Sequence, residues 1–466
     1  MPYADETAAY EPLSTTVTHA LNSAGVAFSV HPSQSIDPAQ RMHVILLQHL
    51  DQLRLALIPH THILDLAQLN TQTNTMWQAA TTTSAAPLLK QYNMTTLPAI
   101  PALCNMMPCF YAPSLLAQSM AYLEFGVDGM LLGLTPKALK TLLTSAQAID
   151  CSHAVTLQHP NHSPASDDAH GIQQAVINLT SRRIQQRLEQ TLEIPLLSST
   201  AKKVLRLRTD PLASIDELSA IVETDPPLAA QVMSWAASPY YATPSKIRSV
   251  EDAIMRVLGF DLVINLALGL SLGKHLKIPA DQPQHSTPYW QQAIYIATLT
   301  EGLVRAMPAD KKPDNGLAYL AGLLHNFGFA LLAHVFPPHF SLVCRSLEAN
   351  LHLSHSVVEY DLLGITREQM GAWLMQCWDI PSELIYALRY QDNPNYEGEH
   401  ASYANLVCLA QRLLAQDKMG QNANNQIPNA LYERLGISQA KAQDVLQHIL
   451  DAEQALRELA IQFNHS

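Results

Sequence analysis

The hydrophobic positions of this chain follow one pattern before residue 160 and another after it. From about residue 171 to the C-terminus they recur with the 3.6-residue period of an amphipathic α-helix. Before the change, short apolar runs of strand length are interleaved with helical stretches. The pattern therefore predicts an α/β first domain, a mixed sheet with helices, followed by an all-α multi-helix domain with a helical C-terminal extension.

Short elements alternate in the first domain. Apolar runs of strand length cover 26–30, 44–47, 53–58 and 127–132. Helices are predicted at 15–25, 62–69 and 113–125. The prolines between Tyr92 and Tyr111 argue against a helix there, because proline lacks the amide donor that a helix interior needs.

A segment rich in Pro, Ser, Asp and Asn, from His159 to Gly171, predicts a linker after the first domain. Pro or Gly marks many of the breaks between the helical stretches that follow it. Helices are predicted at 171–192, 199–208, 214–223, 226–237, 249–259, 260–275, 287–307, 315–334, 337–350, 354–362, 366–377, 380–390, 401–416 and 438–463.

Composition narrows the class of protein. Hydrophobic residues make up 48% of the chain and charged residues 15%, which is enough apolar material for two or more cores. The net charge of −12 disfavours nucleic acid as a partner. The six cysteines form no CxxC pair, and the chain opens without an apolar leader or any recognised membrane-spanning run. We therefore expect a cytoplasmic protein with free thiols and no membrane contact.

Six short motifs follow one another in a fixed order in the helical part. They are DPPL (225–228), WAASPYY (235–241), the stretch from Ile247 to Gly259, GLLHNFG (322–328), MGAWL (370–374) and WDIP (378–381). Together they resemble the HDOD family, a branch of the HD metallophosphohydrolase superfamily found in bacterial signalling proteins. The resemblance covers roughly residues 180–395 and implies a place in signal transduction.

The metal ligands of catalytic HD enzymes are largely missing from the matching positions. The resemblance implies a histidine on an early helix, an adjacent His-Asp pair, and further histidine and aspartate ligands on later helices. Those positions hold Gln292, the pair His325-Asn326, Arg367 and Gln391. A divalent metal needs several N and O donors including a carboxylate, and arginine adds a permanent cation instead. The interpretation is a degenerate site with no metal, no cofactor and no catalytic residue.

A weaker resemblance covers residues 15–150. It is carried by VTHALNSAGV (17–26), ALIP (56–59), HILDL (62–66) and LPAIPAL (97–103). These segments resemble the YbaK/prolyl-tRNA-synthetase-associated domain, whose members are free-standing aminoacyl-tRNA deacylases. The family's lysine belongs at the start of the strand that holds Met42 and His43, and Arg41 is the nearest cation. This position is therefore degenerate too, at Arg41 and His43.

Four segments and one leading function follow from these observations. Residues 1–155 are predicted to be the deacylase-like domain, 156–172 the linker, 173–395 the HDOD domain and 396–466 the C-terminal helical extension. We expect a non-enzymatic regulatory protein that binds an unknown protein or small-molecule signalling partner.

Two other functions stay open. One is an enzyme: an aminoacyl-tRNA deacylase acting in trans-editing, with tRNA as its partner, or a residual metal-dependent phosphohydrolase. The other is a structural partner protein that forms a homodimer through helices 401–416 and 438–463.

Overall fold

The computed structural model describes residues 15–91, 94–100, 107–156, 165–179, 197–241, 247–273, 281–284, 286–417 and 426–463. The chain divides into two compact units. The first comprises residues 1–157 together with 345–353, and the second comprises residues 158–344 together with 354–466. The boundaries expected at residues 155, 172 and 395 stay predictions.

The first unit is built on strands. They are β1 (Phe28–Pro32), β2 (Met42–His49), β3 (Gln52–Pro59), β4 (His62–Leu64), β5 (Gln78–Ala79), β6 (Cys109–Tyr111), β7 (Ala121–Glu124), β8 (Met130–Leu134), β9 (Gln147–Ala148) and β10 (Ser152–Ala154). A mixed five-stranded sheet has the order β5-β2-β3-β6-β9. A three-stranded sheet has the order β1-β8-β7, and β10 pairs with β4.

The β2–β3 hairpin forms the centre of the larger sheet. Its antiparallel register runs from Met42 opposite Pro59 to His49 opposite Gln52. Both strands carry consecutive apolar residues, and Val44 to Leu47 and Leu55 to Ile58 are all buried in the core. Four helices accompany the sheets: α1 (Thr15–Ser23), α2 (Leu66–Thr73), α3 (Thr82–Gln91) and α4 (Pro136–Leu142). The predicted mixed sheet with helices is confirmed.

Two of the predicted helices in this unit are wrong. Residues 62–69 form strand β4 and then helix α2, because the Asp65 side chain accepts a hydrogen bond from Gln68 N at 2.9 Å and caps the helix there. Residues 113–125 form one 3₁₀ turn, Pro113–Ala117, and then strand β7, which pairs with β8. A long-range strand partner therefore overrides the local helical spacing.

The segment 345–353 belongs to the first unit although it lies far along the chain. Ala349 is part of the core of this unit. The Asn350 amide pairs with the Leu64 backbone: its Oδ1 accepts from Leu64 N at 2.7 Å and its Nδ2 donates to Leu64 O at 3.2 Å. A single side chain thus extends the hydrogen bonding of strand β4.

The second unit is helical throughout the part that the structure describes. Its helices are α5 (Asp168–Leu179), α6 (Ser199–Arg208), α7 (Ile215–Glu223), α8 (Pro226–Ala237), α9 (Val250–Ala253, continued by a π-turn at Ile254–Leu258), α10 (Phe260–Gly273), α11 (Tyr289–Ala306), α12 (Asn315–Leu324), α13 (Phe327–Val335), α14 (Pro337–Ala349, whose last residues belong to the first unit), α15 (His355–Leu363), α16 (Arg367–Cys377), α17 (Ser382–Tyr390), α18 (Ala401–Gln416), α19 (Asn429–Leu435), α20 (Gln439–Asp451) and α21 (Glu453–Phe463). The predicted all-α second part is confirmed.

Four features of this unit differ from the prediction, the first being helix α19 (Asn429–Leu435), which was not predicted. The stretch 315–334 is two helices separated at His325-Asn326, and 438–463 is two helices separated at Ala452. Helix α5 begins at Asp168, inside the predicted linker, because the Asp168 carboxylate is buried against Arg389. The predicted helical residues 180–192 lie outside the described part of the chain.

The C-terminal helices pack on α11 within the second unit. Helix α18 packs against α11, and nearly all of its apolar residues are buried. A Cβ added at Gly302 of α11 would lie 2.6 Å from a methyl of Val445 on α20. The apolar faces of these helices, which suggested a dimer interface, are therefore largely covered inside their own unit.

One apolar segment, Asn315–Val335, meets the length and hydropathy expected of a membrane-spanning helix. This corrects the expectation that no such run exists. Of its apolar window, 94% is buried inside the structure, and buried core helices of soluble proteins meet the same criteria.

Glycines allow the two helices that flank His325-Asn326 to approach their neighbours. A Cβ on Gly322 would lie 2.6 Å from Ala297 Cα of α11. A Cβ on Gly328 would lie 1.7 Å from Arg367 O of α16. The neighbouring atoms are backbone, which cannot move aside easily. The two glycines of the GLLHNFG motif are thus required by packing.

We predict that Gly328→Ala lowers the free energy of unfolding by about 1–3 kcal/mol, the usual cost of overpacking a core. Gly171→Ala on α5 is the matched control, since its nearest neighbour is the Ile365 side chain at 4.0 Å. That control should be neutral or should stabilise by about 0.5–1 kcal/mol. Urea denaturation of both variants measures this, and equal effects would disprove the packing argument.

Candidate functional site

The residues His325 and Asn326 form the break between helices α12 and α13. His325 is buried, and its Nδ1 lies 2.7 Å from Gly322 O. A carbonyl oxygen can only accept, so Nδ1 carries the ring proton in this arrangement. Burial lowers the pKa of His325 to about 4, and the Arg367 cation acts in the same direction. The imidazole is therefore neutral, with Nε2 buried and without a hydrogen-bond partner among the described residues.

Arg367 brings a cation to the side chain of Asn326. It is the first residue of α16, positioned by a capping box between Thr366 and Gln369. Its Nη1 donates to Asn326 Oδ1 at 3.2 Å, and its guanidinium carbon lies 4.5 Å from the centre of the Phe329 ring. The oxygen that Asn326 could have offered to a metal therefore already accepts from a cation.

Glu359 on α15 holds the Arg367 guanidinium in place. Its Oε1 accepts from Arg367 Nε at 2.6 Å, and its Oε2 accepts from the Arg367 backbone amide at 2.9 Å. The Glu359 side chain is 0% exposed and that of Arg367 is 5% exposed. This ion pair is consequently shielded from water and from salt.

Gln391, at the end of α17, is fully engaged with protein groups. Its Nε2 donates to His325 O at 2.7 Å and to Leu388 O at 2.9 Å. Its Oε1 accepts from Gln411 Nε2 at 2.7 Å. Gln391 therefore connects the backbone of His325, at the helix break, to α17 and α18 through hydrogen bonds.

Gln292 stands apart from the other four positions. It is half-buried on α11, and its Oε1 is buried without a hydrogen-bond partner among the described residues. No hydrogen bond of the described residues joins its side chain to His325, Asn326, Arg367 or Gln391. The structure thus assembles four of the five predicted positions through hydrogen bonds and leaves Gln292 outside that group.

The most polar part of this region was not anticipated from sequence. His355 Nε2 lies 2.6 Å from Glu368 Oε1. Arg389 donates from Nε to Asp168 Oδ2 at 2.5 Å and from Nη2 to Asp168 Oδ1 at 3.0 Å. These side chains are all buried. Charged residues inside apolar helical stretches were the available signal, but their partners are 13 and 221 positions away in sequence.

The His355–Glu368 pair is held in its charged form. Burial by itself lowers the pKa of His355, but the Glu368 carboxylate outweighs it and raises the pKa overall. Burial by itself raises the pKa of Glu368, but His355 and Arg367 outweigh it and leave the pKa below its ordinary value. Each partner stabilises the charge of the other.

The residues at the HD position do not fit a divalent metal. The side-chain oxygen of Asn326 accepts a hydrogen bond from the Arg367 guanidinium, and the side-chain amide of Gln391 donates to backbone carbonyls. No carboxylate among the described residues forms a hydrogen bond with His325 Nε2. Within the described ranges, no group of three or more His, Cys, Asp or Glu side chains is arranged to hold a metal ion. The side chains at this position, His325, Asn326 and Gln391, therefore offer no negative charge to balance a divalent cation.

In the first unit, Arg41 and His43 lie at the start of the β2 strand. Arg41 Nε donates to Ile36 O at 2.8 Å, so its guanidinium is engaged with the backbone. His43 is stacked on His352, with ring centres 4.1 Å apart and an interplanar angle of 28°. Its Nδ1 lies 3.7 Å from Glu124 Oε1. The predicted position of the deacylase lysine, at His43, therefore lies against the ring of His352.

Comparison with known proteins identifies the helical part. The HDOD domain profile matches residues 194–394. A crystal structure of a proposed signal transduction protein from Marinobacter aquaeolei VT8 is 37% identical, covers 97% of this chain and 100% of its own, and superposes with a TM-score of 0.88.

Two further likenesses are weaker. An uncharacterized protein from Treponema pallidum (strain Nichols) is 23% identical over 243 residues, which are 51% of this chain and 45% of that protein. The match thus spans less than half of the relative's length. A proposed trans-editing enzyme for prolyl-tRNA synthetase matches over 31% of this chain and 100% of its own, at 19% identity and a TM-score of 0.27.

We predict that Arg367→Met lowers the free energy of unfolding by about 3–5 kcal/mol, because it leaves the Glu359 carboxylate buried and unpaired. The double variant Arg367→Met/Glu359→Leu should recover most of that loss. Arg256→Met, which removes the exposed ion pair with Asp252, is the control and should cost at most about 1 kcal/mol. Urea titration measures these variants together with Glu359→Leu. If the effects of Arg367→Met and Glu359→Leu simply add up in the double variant, the coupling is contradicted.

We predict that the stabilisation from the His355–Glu368 pair depends on pH. The pKa of His355 is raised, so its stabilisation is complete below the ordinary value near 6.5 and disappears as the pH rises through the raised value. The pKa of Glu368 is lowered, so its contribution is present above about 4.3 and disappears as the pH falls. His355→Gln should therefore cost most near pH 5.5 and progressively less above neutrality.

Urea denaturation of the wild type and His355→Gln at several pH values tests this. His334→Gln, at an exposed histidine on α13, is the control and should show no such profile. A cost for His355→Gln that is the same at pH 5.5 and pH 9 would show that the pair is not charged.

Proposed function

The chain belongs to the HDOD family, and from this premise we propose that it is a non-enzymatic signal-transduction protein that acts by binding a ligand or partner. The proposal is carried by one observation: the Arg367 guanidinium, held by Glu359, lies against Asn326 at the position of the HD aspartate. The chain supplies its own cation where the catalytic relatives of the superfamily are expected to hold a metal.

Electrostatics opposes a metal beside this guanidinium. A dication about 4 Å from a single positive charge is repelled by about 8 kcal/mol at an effective dielectric constant of 20. The Glu359 carboxylate would offset part of this, but it already accepts from both the side chain and the backbone of Arg367. A single neutral imidazole at His325 cannot supply the missing charge.

The first unit supports the same proposal. The Arg41 guanidinium donates to Ile36 O, and the ring of His352 lies against that of His43. Residues 1–150 contain 5 basic and 9 acidic side chains, a net charge of 5 − 9 = −4, which disfavours a tRNA acceptor end. The unit is therefore proposed to serve as a second binding module, without deacylase activity.

Metal analysis tests the proposal. Protein purified without chelators should contain Mn, Fe and Ni far below one equivalent, and it should hydrolyse neither phosphomonoesters, phosphodiesters nor mischarged tRNAs above background. Asn326→Asp is the informative variant: the new carboxylate should pair with Arg367 and still bind no metal. Stoichiometric metal that is lost in His325→Gln would overturn the proposal.

A further inference from the structure

Three histidines of the first unit form a contiguous cluster. His43 lies on β2, His60 follows β3, and His352 belongs to the segment 345–353. The ring centres of His43 and His352 are 4.1 Å apart, those of His60 and His352 are 5.3 Å apart, and those of His43 and His60 are 6.0 Å apart. Each imidazole therefore contacts the other two.

The cluster fastens the segment 345–353 to the sheet. His352 Nε2 lies 3.0 Å from His62 O, so Nε2 carries the proton and donates to that carbonyl. His352 Nδ1 is buried and has no hydrogen-bond partner among the described residues. A second proton on this ring would thus be buried without an acceptor, beside two other imidazoles. The neighbouring Asn350 supplies the remaining polar contacts, to Leu64.

One permanent cation, Arg41, and one carboxylate, Glu124, lie beside the cluster. Glu124 on β7 is the nearby carboxylate, 3.7 Å from His43 Nδ1. Arg41, which precedes β2, acts on His60 together with His43. His62 on β4 faces Ser152 and lies close to His153 and Asp150 on the β10 side. One carboxylate at the cluster can balance one protonated imidazole, while a second would lie next to an uncompensated positive charge.

We propose that the segment 345–353 is a proton-released cover: the histidine cluster holds it on the sheet while His60 and His352 are neutral, and acidification detaches it and exposes His43. The cover lies over the position that the deacylase resemblance assigns to a lysine. Its tip, Leu351, is 68% exposed. Asn350 and His352 supply its hydrogen bonds to the sheet among the described residues, and Ala349 packs into the core of the unit. This inference concerns the first unit alone and does not depend on the HD position.

The direction of the pKa shifts agrees with this. Burial, followed by the neighbouring His43 and Arg41, lowers the pKa of His60 to about 4. Burial and His43 also lower the pKa of His352 well below its ordinary value. A histidine with a lowered pKa leaves the attached state undisturbed above about 6.5 and destabilises it as the pH falls below that value. For His60 the detached state should gain roughly 30-fold between pH 7.5 and pH 5.

Amide hydrogen exchange of the full chain at pH 7.5 and pH 5.0, corrected for intrinsic rates, tests the proposal. Peptides covering 345–353 and 62–66 should lose at least tenfold more protection at pH 5.0 than peptides from α11. In His60→Gln/His352→Gln the protection should be the same at both values, since glutamine can still donate to His62 O. His19→Gln, at an exposed histidine on α1, should behave as the wild type.

Two results would overturn the proposal. One is wild-type protection that does not change between the two pH values. The other is a double variant that loses protection on acidification as the wild type does. If the double variant is not protected at pH 7.5, the single variant His60→Gln decides, through a shallower pH dependence. A zinc titration at pH 7.5 adds a third arm: one equivalent bound by the wild type and lost in the double variant would identify a metal site instead.

Discussion

The second unit depends on how it accommodates a buried arginine. A guanidinium that is 5% exposed must find nearly all its polar partners inside the protein, and Arg367 finds them on different helices. Glu359 on α15 neutralises the charge, Asn326 at the start of α13 accepts one further hydrogen bond, and the Phe329 ring lies beneath the guanidinium. The same cation stabilises the Glu368 carboxylate, whose other partner is His355. Removing the Arg367 guanidinium would therefore leave Glu359 without its ion-pair partner and Asn326 without a hydrogen-bond donor, and it would weaken the stabilisation of the Glu368 carboxylate.

A buried ion pair of this kind is weak evidence for stability, because desolvation offsets much of the Coulomb energy. Its stronger effect is on arrangement, since Glu359, Asn326 and Arg367 can all be satisfied only when α13, α15 and α16 take one geometry. Gly328 lets the α13 backbone approach Arg367 O closely enough for this. The buried cation therefore fixes the positions of these three helices relative to one another through its hydrogen bonds.

In the first unit, the buried polar cluster consists of imidazoles, two of which are neutral near pH 7. Its clustered imidazoles are tolerated because burial keeps His60 and His352 uncharged near neutral pH. Buried histidines of this chain thus differ in the direction of their pKa shifts, even within the second unit. His355 is drawn toward its charged form by Glu368, whereas His325, His60 and His352 are held neutral by burial. The stability of the whole chain should accordingly respond to acid through competing groups, and single variants are needed to separate them.

The sequence by itself determined the two kinds of architecture, most helices of the second unit and the identity of the residues at the HD position, because these follow from periodicity and from ordered motifs. It also placed Gln292 and Gln391 where the HDOD resemblance implies histidine ligands, and this assignment stays a prediction. Tertiary structure alone decided the rest. Strand β7 formed where a helix was expected, since β8 supplies its hydrogen bonds. Arg367 met Glu359, and His352 met His43, across separations that no local pattern encodes. Long-range pairing depends on which surfaces fold together, and that information lies outside any single window of sequence.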